Sequence, residues 1–452
     1  MAKRNNRMKK SIIMTAILLF AVADGFAQKA WTLSDCISYA IEHNITLQKA
    51  KWQQLSAEED VRSAKAALLP SLSASTNQSV GFRPWQDNST TTVTNGQVNA
   101  KVDKSYYNGS YGLNASWTVW NGNRNVNTLK QNRLAAEKAE ADVETTANSI
   151  QEQIAQLYVQ ILYLREAVKV NEQSLETSIK NEERGKEMVE VGKMSKADLA
   201  QLSAQRATDE YNIVESRANI SKYKLQLKQL LELDGALDFD VAQDDVTDEQ
   251  ALAAIPAMHD IYAQALGFRP EVRSSELAVR SSDLSIKMAK AGWLPTLNMT
   301  GGLSTNTNSL SNNGWGSQLK TNFDASAGLT LSLPIFDQRQ TKAAVNKARI
   351  QREQALLDMQ DTQKELYQTI EGYWLDAETN QAKLRSAIVT EESEQQSYNL
   401  LQEQFHLGLK NIVELMTGKD RLLTAQQNRL QSKYQAVLAQ QMLKFYSGNQ
   451  AL

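Results

Sequence analysis

Cysteine is almost absent from this 452-residue chain: Cys36 stands alone, so no disulfide can form within it. Histidine is nearly as scarce. His43, His259 and His406 lie far apart without any ligand spacing, so they read as surface histidines and imply no metal site. Proline is limited to six residues and glycine to 20, which leaves room for very long uninterrupted helices. Beyond the N-terminal region no run approaches 18 consecutive apolar residues, which excludes an α-helical membrane protein; a bilayer crossing would have to use strands. There is no phosphate-cradling glycine loop, nucleophile elbow or zinc helix motif, so the chain reads as a non-enzyme without cofactors.

What is present begins with a leader. Lys3, Arg4, Arg7, Lys9 and Lys10 precede the apolar run Ser11 to Val22, and Gly25-Phe26-Ala27 supplies small residues at cleavage offsets. Residues 1–27 therefore read as a secretory signal peptide. Without it, 44 Lys and Arg face 50 Asp and Glu, a net charge of −6, which gives no electrostatic footprint for nucleic acid. Cys36 lies behind Asp35 and past the leader, a poor context for lipid attachment.

The chain repeats itself. Asp35 to Leu72 aligns with Asp260 to Leu297 without a gap at an offset of 225, with identities that include Ala64/Ala289, Lys65/Lys290, Ala66/Ala291, Leu69/Leu294 and Pro70/Pro295. A second ungapped match, at an offset of 216, pairs Trp120 with Phe336, Tyr158 with Trp374, Gly192 with Gly408 and Leu199 with Leu415. Two matches in the same order make a duplication, with a longer Ser/Thr/Asn loop in the first half.

Each half switches period twice. Residues 34–68 read as one helix, stopped at Leu69-Pro70. Ser71 to Val80 alternates as a strand, Gly81 to Ser110 reads as a long exposed loop, and Tyr111 to Val119 alternates again. In the second half Trp293-Leu294-Pro295 precedes a strand at Leu297, Met299, Gly301 and Leu303. A loop from Ser304 to Asn322 then leads to Ala325, Ala327, Leu329, Leu331 and Leu333. After each strand pair comes a helical stretch of unusual length. Ile150, Ile154, Leu157, Ile161, Leu164 and Val168 form a heptad seam, and the return helix carries Leu199, Leu202, Ile213, Ile220, Tyr223, Leu227 and Leu230. Leu356, Met359, Leu366, Ile370, Tyr373, Ala377 and Leu384 repeat it. The roughly 68 residues from Asn123 to Glu190 would run about 100 Å, which suits a duct or a stalk rather than a compact domain. Residues 28–232 thus form a first repeat of helix, two strands and coiled-coil hairpin. Residues 258–452 form a second, and 233–257 an irregular equatorial linker expected to pack beside the middle of the helices.

Two strands per repeat give an open sheet whose edges would be unpaired in lipid, at several kcal/mol per unsatisfied group. Closure with copies from other subunits would give about 12 strands, within the outer-membrane range. Aromatic residues fall near the strand ends: Trp120, Trp293 and Phe336 at one level, Tyr106, Tyr107, Tyr111, Trp315 and Phe323 at the other, as in an interfacial girdle.

The order of elements resembles the outer-membrane efflux protein family, the TolC-like exit ducts. The likeness rests on Trp31-Thr32-Leu33-Ser34-Asp35-Cys36 opening a helix with Ala40 and Asn44, on Leu69-Pro70, on Arg269-Pro270-Glu271, and on Trp293-Leu294-Pro295. The turns Val191-Gly192-Lys193 and Leu407-Gly408-Leu409, each followed by an acidic residue and Leu, complete it. The resemblance implies a mainly α protein with a membrane β-barrel, made as a homotrimer with a 12-stranded barrel and a periplasmic α-helical barrel. It implies the outer membrane of a Gram-negative bacterium, contact with outer-membrane lipid, and docking to a periplasmic membrane-fusion adaptor and an inner-membrane transporter.

The same resemblance marks the hairpin tips. Val191, Gly192, Lys193, Leu407, Gly408 and Leu409 become candidate adaptor contacts. Glu414 matches a family carboxylate that narrows the entrance and selects cations, whereas the second family carboxylate falls on Thr417. Lys410 could pair with Asp198 as the family's latch does, while Phe405 lacks the hydroxyl of the family's aromatic. A more loosely latched entrance with weaker cation preference is expected. The function implied is a passive outer-membrane channel of a tripartite efflux or type I secretion system. The alternative is a trimeric coiled-coil structural or adhesive surface protein without a pore, whose helices would run one way rather than return to the same end.

Overall fold

The structure is a computed structural model that describes residues 30–85, 88–93, 96–101, 104–234, 239–243, 246–309, 311 and 313–448. The leader read at 1–27 lies outside the described residues, as do Gly235, Asp244 and Asp245 of the linker. In chain order the elements are α1 (Leu33–His43), α2 (Ile45–Ala66), β1 (Ser71–Phe82), β2 (Asn88–Val93), β3 (Gly96–Lys101), β4 (Ser105–Trp120), α3 (Arg124–Glu190) and α4 (Lys196–Leu230). There follow α5 (Asp248–Ala251), α6 (Met258–Phe268), α7 (Pro270–Lys290), a 3₁₀ turn (Ala291–Trp293), β5 (Thr296–Asn308), α8 (Trp315–Thr321), β6 (Asp324–Ser332), α9 (Gln340–His406) and α10 (Ile412–Tyr446). They form two compact units. One takes residues up to Lys51, Asp142–Val272 and Thr362–Leu452; the other takes Trp52–Ala141 and Arg273–Asp361.

The second unit is built on a four-stranded antiparallel sheet in the order β1-β4-β5-β6. Its register sorts the side chains cleanly. Leu72 pairs with Ala115, Ala115 with Gly301 and Gly301 with Ala327; in the adjacent rows Trp117 meets Met299 and Met299 meets Leu329. Ser73, Asn114, Gly302 and Ser326 form a row on the opposite face. One face is therefore apolar and the other is Ser, Thr, Asn and Gly. Every residue of β6 is exposed, and β1 is exposed along nearly its whole length.

Three expectations need correction. Residues 34–68 are not one helix: Asn44 divides α1 from α2, and its side chain takes over the backbone bonds lost there. The segment Gly81 to Ser110 is more than a loop, since it holds the end of β1, the β2–β3 hairpin and the start of β4. Likewise Ser304 to Asn322 contains the end of β5 and the short α8, whose Gln318 side chain bonds the backbone of Asn308 and Asn313. Composition misled in both loops for one reason. These strands are paired by backbone ladders between Ser-, Thr- and Asn-rich sequences, which carry no apolar/polar alternation to betray them.

The first unit is helical. Ile150, Ile154, Ile161 and Val168 of the heptad seam are buried, as are Leu202, Ile213 and Leu227 on α4 and Leu366, Ile370, Ala377 and Leu384 on α9. Within this unit the linker binds the helices through its backbone. Trp31 and Val241 make a parallel bridge, the Tyr158 hydroxyl donates to the Ala242 carbonyl at 3.2 Å, and Arg165 donates to the Val241 carbonyl at 2.7 Å. Gln381 and Gln440 donate to the Ala251 carbonyl at 3.1 and 2.7 Å. Buried backbone acceptors in an irregular segment need such partners, and long amide and guanidinium side chains reach them.

Candidate functional site

Each coiled-coil hairpin ends in the same backbone device. Gly192 and Gly408 have φ of +72° and +74°, the left-handed conformation that a side chain disfavours. Gly192 N–H donates to the Val189 carbonyl and Lys193 N–H to the Met188 carbonyl; Gly408 N–H donates to Phe405 and Leu409 N–H to Gln404. Both are Schellman turns, which satisfy the last carbonyls of α3 and α9 and reverse the chain. Among the described residues, chain neighbours aside, nothing lies within 4 Å of where a Cβ would stand on either glycine, so the positive φ alone calls for glycine here.

The return helices are then capped by side chains. Ser195 Oγ accepts from the Asp198 N–H at 3.0 Å and donates to the Asp198 carboxylate at 2.8 Å. Asn411 and Glu414 form a reciprocal capping box, with the Glu414 N–H donating to Asn411 Oδ1 at 2.9 Å and the Asn411 N–H to Glu414 Oε2 at 3.2 Å. Asp198 and Glu414 therefore occupy the same cap position in the two repeats.

Within the chain Lys410 is not on Asp198. Its ammonium lies on Glu414 Oε1 at 2.6 Å: Lys410 directly precedes the Asn411 N-cap, and the capping box turns the Glu414 carboxylate back toward it. The Lys410 hydrogen bond, helped by the Asn411 N–H, holds the Glu414 carboxyl below the ordinary carboxylate range. Thr417 donates to the Val413 carbonyl at 2.8 Å, an ordinary helix-surface bond. Phe405 is buried, packed with Leu202, Tyr398, Ile412, Leu415 and Leu422. Val191, Leu407, Leu409 and Val413 are by contrast all more than half exposed, with Leu407 and Leu409 at 74% and 71%. The tips thus present apolar side chains to solvent beside a neutralised Lys–Glu pair.

Sequence reasoning passed over two charges behind the tips. Lys419 and Asp209 fall in the heptad seams, between Leu415 and Leu422 on α10 and between Leu202 and Ile213 on α4, and both are buried. A polar residue interrupting an apolar seam was the available signal.

Two long hairpins, each joined to an antiparallel strand pair, are the architecture of the duct-forming outer-membrane proteins, and the sequence agrees along its length. The model of the Outer membrane efflux protein family matches residues 36–232 and 261–449. The chain belongs to the outer membrane efflux protein family. It is 22% identical over 432 residues to outer membrane efflux protein BepC of Brucella suis biovar 1 (strain 1330), a match covering 95% of this chain and 88% of that protein. It is 23% identical over 439 residues to alkaline protease secretion protein AprF of Pseudomonas aeruginosa, covering 96% of this chain and 87% of the relative. Among solved structures, CusC superposes with a TM-score of 0.79 at 17% identity, covering 94% of this chain and 95% of that one. The outer membrane protein VceC of Vibrio cholerae gives 0.76 at 15% identity, covering 92% and 96%. These likenesses fix the fold as that of the TolC-like channels. The family is one of outer-membrane channel proteins rather than enzymes, and as a member of it the chain is an outer-membrane channel component of an efflux or secretion system.

Proposed function

We propose that three copies of this chain close a 12-stranded outer-membrane barrel and continue it as a periplasmic helical tunnel that conducts cargo passively. The observation that carries this reading is the four-stranded sheet. One of its faces is apolar, the other polar, and among the described residues its edges β1 and β6 have no further strand beside them. Lipid tolerates no such edge, so the strands must pair with other copies, apolar face outward and polar face inward. The aromatic residues support the same arrangement. Trp120, Trp293 and Phe336 stand toward one end of the strands, and Tyr106, Tyr107 and the edge-on pair Tyr111–Trp315 toward the other, suited to two interfaces.

The tips at 191–193 and 407–409 dock a periplasmic adaptor of an inner-membrane transporter, through Val191, Leu407 and Leu409 packing on an apolar partner surface. Lys193 and the two glycines shape the turns, and Glu414 with Lys410, Asp198 and Phe405 sets the entrance. With Glu414 neutralised by Lys410 and no carboxylate at Thr417, the entrance selects only weakly for cations. Cargo is chosen by the inner-membrane partner: the relatives' names run from cation efflux for CusC to alkaline protease secretion for AprF.

Purified protein should give discrete conductance steps in planar bilayers, and cysteines at Gly192 or Gly408 should crosslink to an adaptor in cells. A folded protein that inserts and never conducts would refute the duct. Hairpins that return to the same end disfavour the pore-less stalk, whose helices would run one way.

A further inference from the structure

The apolar face of the sheet changes character along the strands. Trp117, Met299 and Leu329 form one row and Leu113, Leu303 and Ala325 another, and the row between them, Ala115, Gly301 and Ala327, carries almost no side chain. That small row floors a recess of about 430 Å³, lined also by Leu72, Leu113 and Leu303. A Cβ on Gly301 would come no closer than 3.9 Å to Ala115 Cβ or the Ser326 carbonyl, so no neighbour fills the space above it. Toward the loop end of the strands the same face turns polar, with Thr76, Gln78, Tyr107, Tyr111, Thr305 and Thr307.

These polar groups converge. The short α8 lies over them: Thr305 Oγ1 donates to the Leu319 carbonyl at 2.8 Å, and Trp315 Nε1 donates to the Tyr111 hydroxyl at 3.3 Å. The Tyr107 hydroxyl donates to Gln78 Oε1, and Gln78 Nε2 donates to Thr76 Oγ1 at 2.6 Å. A Cβ on Gly109 would lie 2.7 Å from each of Gln78 Oε1, Thr307 Oγ1 and the Tyr107 hydroxyl, so three oxygens meet over a residue without a side chain. Thr307 is 2% exposed, and its Oγ1 makes no hydrogen bond of regular geometry among the described residues. Beside them the Trp315 indole is 57% exposed. An open aromatic ring next to hydroxyl and amide groups suits a sugar, whose C–H face packs on the ring while its hydroxyls donate and accept. None of these side chains carries a charge, so the cluster offers a phosphate headgroup no counter-ion.

We propose that each subunit holds one outer-leaflet lipid with a sugar headgroup on this face, its acyl chain in the recess over Gly301 and its sugar against Trp315 and the hydroxyl cluster. The site rests on the duct reading above, which turns this face to lipid. Gly301 and Thr305 are four residues apart on β5, about 14 Å, so an acyl chain descending from the cluster reaches the recess within one leaflet. One amphiphile satisfies both halves. A free sugar would leave the recess empty, and a phospholipid would leave the hydroxyl cluster without a matching group.

The test uses the full-length protein in phosphatidylcholine nanodiscs doped with either a monoglucosyl diacylglycerol or phosphatidylglycerol, with bound lipid counted by native mass spectrometry after release. The glucosyl lipid should be retained about tenfold over phosphatidylglycerol, up to one per chain. Gly301→Val, which fills the recess, and Trp315→Ala should each cut that retention to the phosphatidylglycerol level, and Trp315→Tyr should restore most of it. Methyl glucoside, the same ring without acyl chains, should not displace the lipid. Should Gly301→Val not assemble, Trp315→Ala decides, since its ring is exposed. Equal retention of the two lipids, unchanged retention in Trp315→Ala, or displacement by methyl glucoside overturns the site, and a wild type that still conducts in planar bilayers then keeps the duct. A wild type that neither inserts nor conducts removes the duct reading and the site with it.

Discussion

A Cβ on Gly185 would lie 2.6 Å from Cδ1 of Leu202, and a Cβ on Gly418 would lie 2.6 Å from Cδ1 of Leu401. Positions 185 and 401 are equivalent under the 216-residue repeat, and so are 202 and 418. Each hairpin therefore seats one leucine on one glycine at the same level, with the two partners exchanged between outgoing and return helix. The surroundings differ: Leu202 is buried and Leu199 and Met194 also crowd Gly185, whereas Leu401 is only partly buried. Gly185→Ala should thus cost about 1–3 kcal/mol by overpacking. Gly418→Ala should be close to neutral, since Leu401 can turn aside and alanine recovers about 1 kcal/mol of helix propensity. Thermal unfolding of the two variants checks the order; equal effects would mean that the leucine's freedom does not matter.

Asn44 closes the break between α1 and α2. Its Nδ2 donates to the Leu230 carbonyl at 2.9 Å, and its Oδ1 accepts from the N–H groups of Thr46 and Leu47 at 2.9 and 3.1 Å. Glu232, at φ +57°, accepts from the Ile45 N–H at 3.3 Å. In the second repeat Pro270 has no N–H to satisfy and Gly448 carries no carboxylate, while Arg269 stacks 4.3 Å over the Tyr446 ring. Asn44→Ala should destabilise by about 1–3 kcal/mol through buried groups left unpaired. Asn44→Asp should recover only the accepting half. Denaturant titration distinguishes them.

Cys36 gives a chemical readout of the helical unit. It is fully buried, and burial, reinforced by the Asp35 charge, pushes its thiol up to about 12. At pH 8 the thiolate fraction is negligible, so thiol reagents should leave the folded protein unmodified and label it promptly in denaturant. Fast labelling under native conditions would place Cys36 at a surface.

The Glu414 carboxyl is held below its ordinary value of 4.5, first by Lys410 and then by the Asn411 N–H. A carboxylate depressed on folding stabilises the folded turn above its unfolded pKa, and that contribution disappears as pH falls through the lower folded value. The cap of α10 should therefore persist from neutral pH down to about 4.5 and loosen below it. NMR titration should find Glu414 titrating below a free glutamate, and Lys410→Met should raise it; an unchanged midpoint in that variant would remove Lys410 as the cause.

The large elements were legible because their cause is local. The heptad seam from Ile150 to Val168, the proline stops at Pro70 and Pro295, and Gly192 and Gly408 each carry their reason in a few neighbouring residues. The break at Asn44 was legible only in part: its cap on the Thr46 and Leu47 N–H groups is local, whereas the Leu230 carbonyl its amide donates to is 186 residues away. The polar strands β2 and β3 and the ends of β1, β4 and β5 were hidden for a different reason, since their sequences carry no apolar/polar alternation. At the tips, periodicity showed where the turns lie but not how the charges pair. Lys410 sits on Glu414 because the capping box turns that carboxylate back over Asn411, the residue next to it. Lys419 and Asp209 meet only when two hairpins pack, and their sole trace in the sequence is a charge where a leucine would fit the seam.

One chain cannot close its own sheet in lipid. The direct measurement is the native mass of the protein extracted from outer membrane in mild detergent. Three chains per particle is the result expected, with the β6 edge of each subunit paired to β1 of the next. A stable, folded, membrane-inserted single chain would contradict it.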